Sequence, residues 1–293
     1  MGSGIDYQNM LVIGDDNYMD YVGKKTIVDG AIKAKGLIPR DYTEHPQGSY
    51  KSTIPYDPDT MPLIPREEWS ERIADMVAAK SRTGDIRNTF LNGSHIPALD
   101  QGNQGYCWAY STTMCVMMSR MVSNMPYVRL SAHSVAWTIK NGRDQGGWSA
   151  QSADFIQERG VMPTSVWPEK SMSGGTLNTA ENWAKAEPFR IYEAWMDLTP
   201  RQYDRDMTFD QVMTCLLSNI VVCGDYSWWG HAICVVDPHE IDKTKSLDDK
   251  NRWGIGLINS WSDKWGTNNG YGILKGSKSI PDGGLGVRVV GGS

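Results

Sequence analysis

Long apolar runs are missing from this chain. No stretch of its 293 residues approaches the roughly 18 consecutive apolar residues of a membrane-crossing helix, so a membrane is not an expected partner. The first twenty residues are interrupted by Asp6, Asp15, Asp16 and Asp20, and no secretory leader is expected. Met1-Gly2-Ser3-Gly4-Ile5-Asp6 imitates a myristoylation start but has Asp6 where Ser or Thr is required. Basic runs are missing too. With 29 basic against 34 acidic residues the formal charge is -5, and no Lys/Arg cluster could track a phosphate backbone, so nucleic acid is not an implied partner. Cysteines are few, odd in number and unevenly spaced: Cys107, Cys115, Cys215, Cys223 and Cys234. A chain of this size buries a core without staples, so the five imply a reducing compartment rather than a disulfide framework. They contain no C-x-x-C pair, and His231 with Cys234 does not assemble four ligands; neither a metal nor a cofactor is expected.

What is present divides the chain. Residues 1 to about 65 are rich in Gly, Pro, Asp and Tyr, and Pro39, Pro46, Pro55, Pro58, Pro62 and Pro65 stand too close together for useful helices after Gly36. This segment reads as an extended arm that packs on its own domain or on a partner. A helix should start at Pro65, with Glu67 and Glu68 in its first turn and Trp69, Ile73, Met76 and Val77 on its apolar side, ending near Thr83-Gly84. The periodicity predicts a buried helix from Cys107 to about Met125, a second over Ser131 to Lys140 and a third over Ser149 to Arg159, closed by Gly160. After Pro188 the pattern changes to strands at Phe189 to Trp195, Ile220 to Cys223, Ala232 to Asp237, Trp253 to Ser260 and Gly270 to Leu274, with one helix near Phe209 to Ser218. Helices followed by strands predict an α+β fold. The charged stretch Asp237 to Arg252 reads as a solvated hairpin loop without a specific acidic site.

Chemistry concentrates first in the run Asp100-Gln101-Gly102-Asn103-Gln104-Gly105-Tyr106-Cys107-Trp108-Ala109-Tyr110-Ser111. A Gly-containing loop becomes a helix at Cys107, and the free N–H groups and partial positive charge of a helix N-terminus stabilise a thiolate nucleophile. Attack on a carbonyl creates an oxyanion that needs fixed donors. The Cys107 backbone N–H can be one and the Gln101 side-chain amide another, with Gly102 and Gly105 letting the loop double back. Downstream, Trp228-Trp229-Gly230-His231-Ala232 puts a histidine at the head of an apolar strand. By itself such a histidine is more often structural than catalytic. Leu257-Ile258-Asn259-Ser260-Trp261, Lys264-Trp265-Gly266 and Gly270-Tyr271-Gly272 follow in order.

These segments resemble those of the papain family of cysteine peptidases: Gln-Gly, a short Gly-containing loop and Cys-Trp-Ala-Phe-Ser, with Tyr110 in place of Phe, then Gly-Gly, His-Ala, Asn-Ser-Trp, Trp-Gly and Gly-Tyr. His231 and Asn259 follow Cys107 at close to the roughly 130–150 residues usual for such enzymes. The resemblance implies a two-lobed fold, a helical lobe carrying the nucleophile over about 100–187 and a barrel-like antiparallel β lobe carrying His and Asn over about 188–293. It implies Cys107 as nucleophile, His231 as base and acid, Asn259 as the group orienting His231, and Gln101 in the oxyanion hole. It further implies that Gly146 and Gly147 pair with the substrate residue two before the scissile bond, and that Trp261 covers the His231–Asn259 hydrogen bond. An isolated Gly-Gly is otherwise a plain turn. The other histidines, His45, His95, His133 and His239, read as structural or solvated.

The resemblance covers roughly 95–275. Its usual disulfide is absent, since Gln104 and Arg143-Asp144-Gln145 stand where the cysteines would be. Residues 1–84 hold one convincing helix and lack the long helical prosegment of the family's zymogens. The organisation expected is therefore an arm over 1–84 and a peptidase domain over 85–293. The activity expected is hydrolysis of polypeptides through a thioester. The reading of a different class is a papain-like scaffold serving assembly, for example in a virion, with a protein partner held by the arm. Cytoplasmic or virion-associated localisation fits either.

Overall fold

The computed structural model describes residues 9–23 and 26–287. The Met1–Asp6 start lies outside them. The fold is α+β, with one mixed sheet of eight strands and helices on both of its faces. In chain order the strands are β1 (Val12–Ile13), β2 (Thr26–Val28), β3 (Ala31–Lys33), β4 (Thr53–Pro55), β5 (Trp195–Asp197), β6 (Val222–Tyr226), β7 (His231–Glu240), β8 (Trp253–Ile258), β9 (Tyr271–Lys275) and β10 (Gly283–Gly286). The helices are α1 (Arg66–Ala79), α2 (Thr83–Thr89), α3 (Cys107–Val122), α4 (Ala132–Lys140), α5 (Ser149–Arg159), α6 (Gly174–Leu177), α7 (Ala180–Ala184) and α8 (Arg205–Leu217).

The main sheet has the order β1-β9-β8-β7-β6-β10-β5-β4. Its six inner strands are antiparallel, and β1 and β4, both from the arm, close its two edges in parallel pairing with β9 and β5. The arm thus packs on its own domain and covers edges that would otherwise invite another chain. Between these strands, β2 and β3 form a hairpin over Asp29-Gly30, both at positive φ. That is the signature of a two-residue Asp-Gly turn.

The apolar run at the head of β7 is explained by burial on both faces. Ala232, Cys234 and Val236 join the core under α3, whereas Ile233 and Val235 join the core under α8. α3 is buried along nearly its whole length because it packs on β6 and β7 while α4 and α5 cover its outer side. α8 and α1 cover the opposite face, where Trp69 of α1 meets Phe209 and Trp253 edge-on at 5.9 and 5.1 Å.

Several expectations need correction. α1 ends at Ala79 on a left-handed Lys80, and α2 begins where that helix was expected to stop. The strand expected over Phe189 to Trp195 begins only at Trp195, because the partners β4 and β10 reach no further back. β7 runs to Glu240, past a register shift between Val235 and Asp237. Pro238 is tolerated there because β6 has already ended at the pair Val222–Val235, leaving that side of β7 without a ladder to complete. Asp237 and His239 are consequently buried rather than solvated. Asp237 accepts from Gly84 N–H at 2.8 Å and from the Tyr271 hydroxyl at 2.8 Å, and His239 Nε2 lies 2.6 Å from the same hydroxyl.

Candidate active site

Cys107 is the first residue of α3, as its loop-to-helix context requires, and His231 is the first residue of β7. Asn259 follows the end of β8, so the β7–β8 ladder, which pairs Cys234 with Ile258, brings it beside His231. Asn259 Oδ1 lies 2.8 Å from His231 Nε2 and also accepts from the Ser260 backbone N–H at 2.7 Å. A backbone N–H can only donate, so that atom is the amide oxygen and His231 Nε2 must carry the proton. His231 Nδ1 is then the ring's free lone pair. It is buried and has no hydrogen-bond partner. The Trp261 ring stacks on the imidazole at 4.4 Å, and Trp229 closes its edge at 5.1 Å, sealing the pair from water. Cys107 lies beside this group, since the backbone of Ala232, the next residue on β7, acts on its thiol together with that of Gly36 and Trp108 and favours the thiolate.

Gln101 lies on the same wall. Its backbone N–H donates to Ser260 O at 2.9 Å and its Oε1 accepts from Ser260 Oγ at 2.5 Å, which fixes the amide's orientation and leaves Nε2 to donate. Nε2 donates to Gln104 O at 2.8 Å and to Ala34 O at 3.1 Å. Gly147, just before α5, faces Cys107's helix. A Cβ there would lie 2.7 Å from the Trp108 ring, and a Cβ on Gly146 would lie 2.6 Å from Gly36 O. The residues singled out in the sequence are thus brought to one cleft.

The cleft is filled by the chain itself. Residues 34–38 run through it as an extended strap: Gly147 N–H donates to Gly36 O at 3.0 Å, Ile38 N–H to Gly147 O at 2.9 Å, and Leu37 N–H to Gly230 O at 3.3 Å. Trp261 Nε1 joins Gln101 in donating to Ala34 O, at 3.2 Å. At Gly36 any Cβ would lie 1.9 Å from Gly105 O, so only glycine passes this point. Lys33 is held to Asp100 at 2.7 Å, and Lys35 donates to Tyr21 O at 2.8 Å.

The strap reverses the electrostatics expected of the nucleophile. Burial pushes the Cys107 thiol up to about 12, against the helix N-terminus and these three backbone groups, and pushes the His231 imidazole down to about 3 against its bond to Asn259. Both groups are neutral while the cleft is closed. The strap, Ser260 and Trp229 were not anticipated from the sequence. The strap's one local signal is a Gly36 whose neighbours Leu37-Ile38-Pro39 are bulky and extended.

No protein-family model matches the chain. Zingipain-2 of Zingiber officinale is 24% identical over 218 residues, which cover 67% of this chain and 89% of that protein. The structure of digestive procathepsin L2 proteinase from Tenebrio molitor larval midgut matches 87% of this chain and 78% of its own, with a TM-score of 0.53 and 16% identity. The digestive procathepsin L 3 structure from the same source matches at a TM-score of 0.49 and 17% identity, covering 65% of this chain and 66% of its own.

Proposed function

From the premise that this chain belongs to the papain-like cysteine peptidases, we propose that it cleaves peptide bonds through a thioester on Cys107, with His231 and Asn259 completing the relay. The supporting observation is the doubly determined Asn259 Oδ1, which fixes the His231 tautomer and leaves a buried, unprotonated Nδ1 beside the cleft. Nδ1 takes the Cys107 proton, the thiolate attacks the substrate carbonyl, and the new oxyanion is held by the Cys107 N–H and Gln101 Nε2. The imidazolium then gives its proton to the leaving amine. Water, deprotonated by the same nitrogen, attacks the thioester, the oxyanion forms again, and the acid product leaves as Cys107 recovers its proton. Trp261 excludes water from the Nε2–Asn259 bond throughout.

On this reading the closed strap is a latent state. Its carbonyl at Ala34 uses the Gln101 donor, and its backbone uses the Gly147 edge that a substrate needs. Substrate entry requires residues 34–38 to leave, after which solvent reaches Cys107 and His231 and the ion pair becomes accessible. The test is hydrolysis of a fluorogenic peptide by chains in which the strap has been loosened. Activity that disappears with Cys107→Ala supports the proposal; activity unchanged by that substitution defeats it.

A further inference from the structure

The first residue of α5 is held from another element. A helix leaves its first N–H groups without partners of its own, and Trp148, at the N-cap of α5, has no side-chain oxygen to offer them. Asp225, on β6, supplies what is missing. Its Oδ1 accepts from the Ser149 hydroxyl, and its Oδ2 lies 3.4 Å from the Ser149 backbone N–H. Ser149 is buried, so the contact is sealed from water. Further along, α5 is tied elsewhere: Ser152 Oγ lies 3.0 Å from Trp108 O on the helix of Cys107, and Asp154 accepts from the Ser52 N–H of the arm at 3.0 Å.

Gly147 stands two residues before Ser149, and its N–H and C=O form the edge now taken by Gly36 and Ile38. Asp225 in turn lies opposite Ala232 in the β6–β7 ladder, one position from the Tyr226–His231 pair. One carboxylate therefore sets the start of α5, and the edge beside it, against the strand that begins with His231. Its charge matters to that task. Ionised, Asp225 accepts at both oxygens; protonated, it leaves the Ser149 hydroxyl and N–H to compete for one of them. Burial, and after it the charge of Asp282, push Asp225 up to about 7 against the two Ser149 bonds and the charge of Arg40. The groups that face it are Arg40 and Tyr42 of the arm, Cys107 of α3, Asp282 before β10 and its own neighbour Tyr226. Arg40 is spent on Asp197 in a two-pronged, buried pair at 2.9 and 3.1 Å. Tyr42, Tyr226 and Cys107 are all raised by burial and keep their protons through neutrality.

We propose that Asp225 is a positioning residue of the peptidase: as a carboxylate it fixes the start of α5 so that the Gly147 edge stands where a bound peptide needs it relative to Cys107 and His231, and on protonation it slackens that edge. The proposal rests on the peptidase reading above. Asp225 acts through Ser149 and Gly147 and touches no reacting atom, so its effect falls on peptide binding rather than on the chemical step. Binding weakens as pH falls through the titration of Asp225, in a range where an ordinary aspartate, near about 3.9, is still charged.

The test uses the full chain carrying Gly36→Val, to loosen the strap, together with Cys107→Ala, so that nothing reacts. The probe is a fluorescein-labelled synthetic peptide of residues 31–38, the segment seated on the Gly147 edge, and its Kd is read by anisotropy at about pH 8 and about pH 5.5. The expected result is a Kd about tenfold weaker at the lower pH. Asp225→Asn keeps the oxygen that the Ser149 hydroxyl needs and cannot titrate, so its Kd should fall between those two values and move by less than about twofold with pH. Ser149→Ala, which leaves Asp225 in place, should weaken binding at the higher pH and shrink the pH effect. With Cys107 restored, Asp225→Asn should change KM for a fluorogenic peptide while kcat stays within about threefold. A tenfold pH effect that survives Asp225→Asn overturns the proposal, as does a parent Kd that does not change with pH. The two levels of inference separate. Hydrolysis that requires Cys107, with Kd and KM indifferent to Asp225→Asn and Ser149→Ala, defeats the positioning role alone. Peptide binding with the expected pH response but no hydrolysis that requires Cys107 defeats the peptidase reading and leaves Asp225 positioning a binding edge. A loosened chain that binds no peptide at either pH defeats the proposal.

Discussion

Gly36 O accepts from Gly147 N–H at 3.0 Å, and through this bond the arm occupies the backbone edge at Gly147 that the proposed mechanism reserves for a peptide. The contact depends on a missing side chain. Gly36 has no left-handed φ, so space alone requires glycine there: a Cβ would lie 1.9 Å from Gly105 O. Gly36→Val should therefore expel the strap while leaving β1 and β4 to hold the arm's ends. Overpacking of this kind costs about 1–3 kcal/mol, so Cys107 should be alkylated roughly tenfold faster or more than in the unmodified chain. Cys115, Cys223 and Cys234, buried in the core, should be unaffected. Equal Cys107 rates in the two proteins would show that the strap does not limit access.

The closed state has its own pH signature. With the thiol pushed up to about 12 and the imidazole down to about 3, alkylation of the unmodified chain at pH 5 to 8 should be slow and rise with pH without a plateau. Opening the cleft restores solvent to both groups, so the Gly36→Val profile should reach a plateau at much lower pH. Parallel profiles for the two chains would argue against the burial mechanism.

Stability follows from the same linkage. His231 has a folded pKa below its unfolded value near 6.5, so the unfolded chain binds the proton more readily. The contribution of the neutral ring is complete above about pH 6.5 and is lost as pH falls towards 3, at up to about 1.4 kcal/mol per pH unit. Urea midpoints measured between pH 7 and 4.5 should fall more steeply for the native chain than for His231→Gln. The comparison of the two proteins matters, because Asp225, raised to about 7, acts in the opposite direction and is common to both.

Gln101 separates an oxyanion role from a structural one. Gln101→Glu keeps the oxygen that accepts from Ser260 Oγ and removes the Nε2–H donor. In the loosened chain kcat should drop about 10²–10³-fold with little change in KM, while the thermal midpoint moves by no more than a few degrees. Equal losses in kcat and folding stability would assign Gln101 to scaffolding.

The arm's clamp is the pair Arg40–Asp197, both side chains almost wholly buried. Replacing Asp197 with Ala strands the guanidinium without a counter-charge and should cost about 3–5 kcal/mol in urea unfolding. Replacing both residues with apolar ones of similar size should recover much of that loss. A single-variant cost below about 1 kcal/mol would show that the pair is solvated.

The site was legible where chemistry is local or ordered along the chain. Cys107 announced itself by a Gly-containing loop running into an apolar helix, and His231, Asn259 and Trp261 by motifs whose order matched a known family. The strap was not legible, because its signal is the fit of Gly36 against Gly105 and Gly147, residues far away in sequence. The same applies to Asp237 and His239. Their charge reads as a loop, and only the extension of β7 past Pro238 shows that they are buried against Gly84 and Tyr271. The thiol's expected depression was sound for a helix N-terminus in water and failed because the arm removes the water. Asp29-Gly30 could have been found: an Asp-Gly between Thr26-Ile27-Val28 and Ala31-Ile32-Lys33 is a hairpin signal in plain view.

The relay at Cys107 is tested most directly by trapping its intermediate. The full chain carrying Gly36→Val is mixed with a peptidyl ester, quenched in acid within the first turnover, and examined by intact mass and peptide mapping. The predicted result is a stoichiometric acyl adduct on the peptide containing Cys107, absent from Cys107→Ala and formed at least about 10²-fold more slowly when His231 is replaced by Ala. An adduct on any other residue, or ester hydrolysis at an undiminished rate in Cys107→Ala, would contradict it.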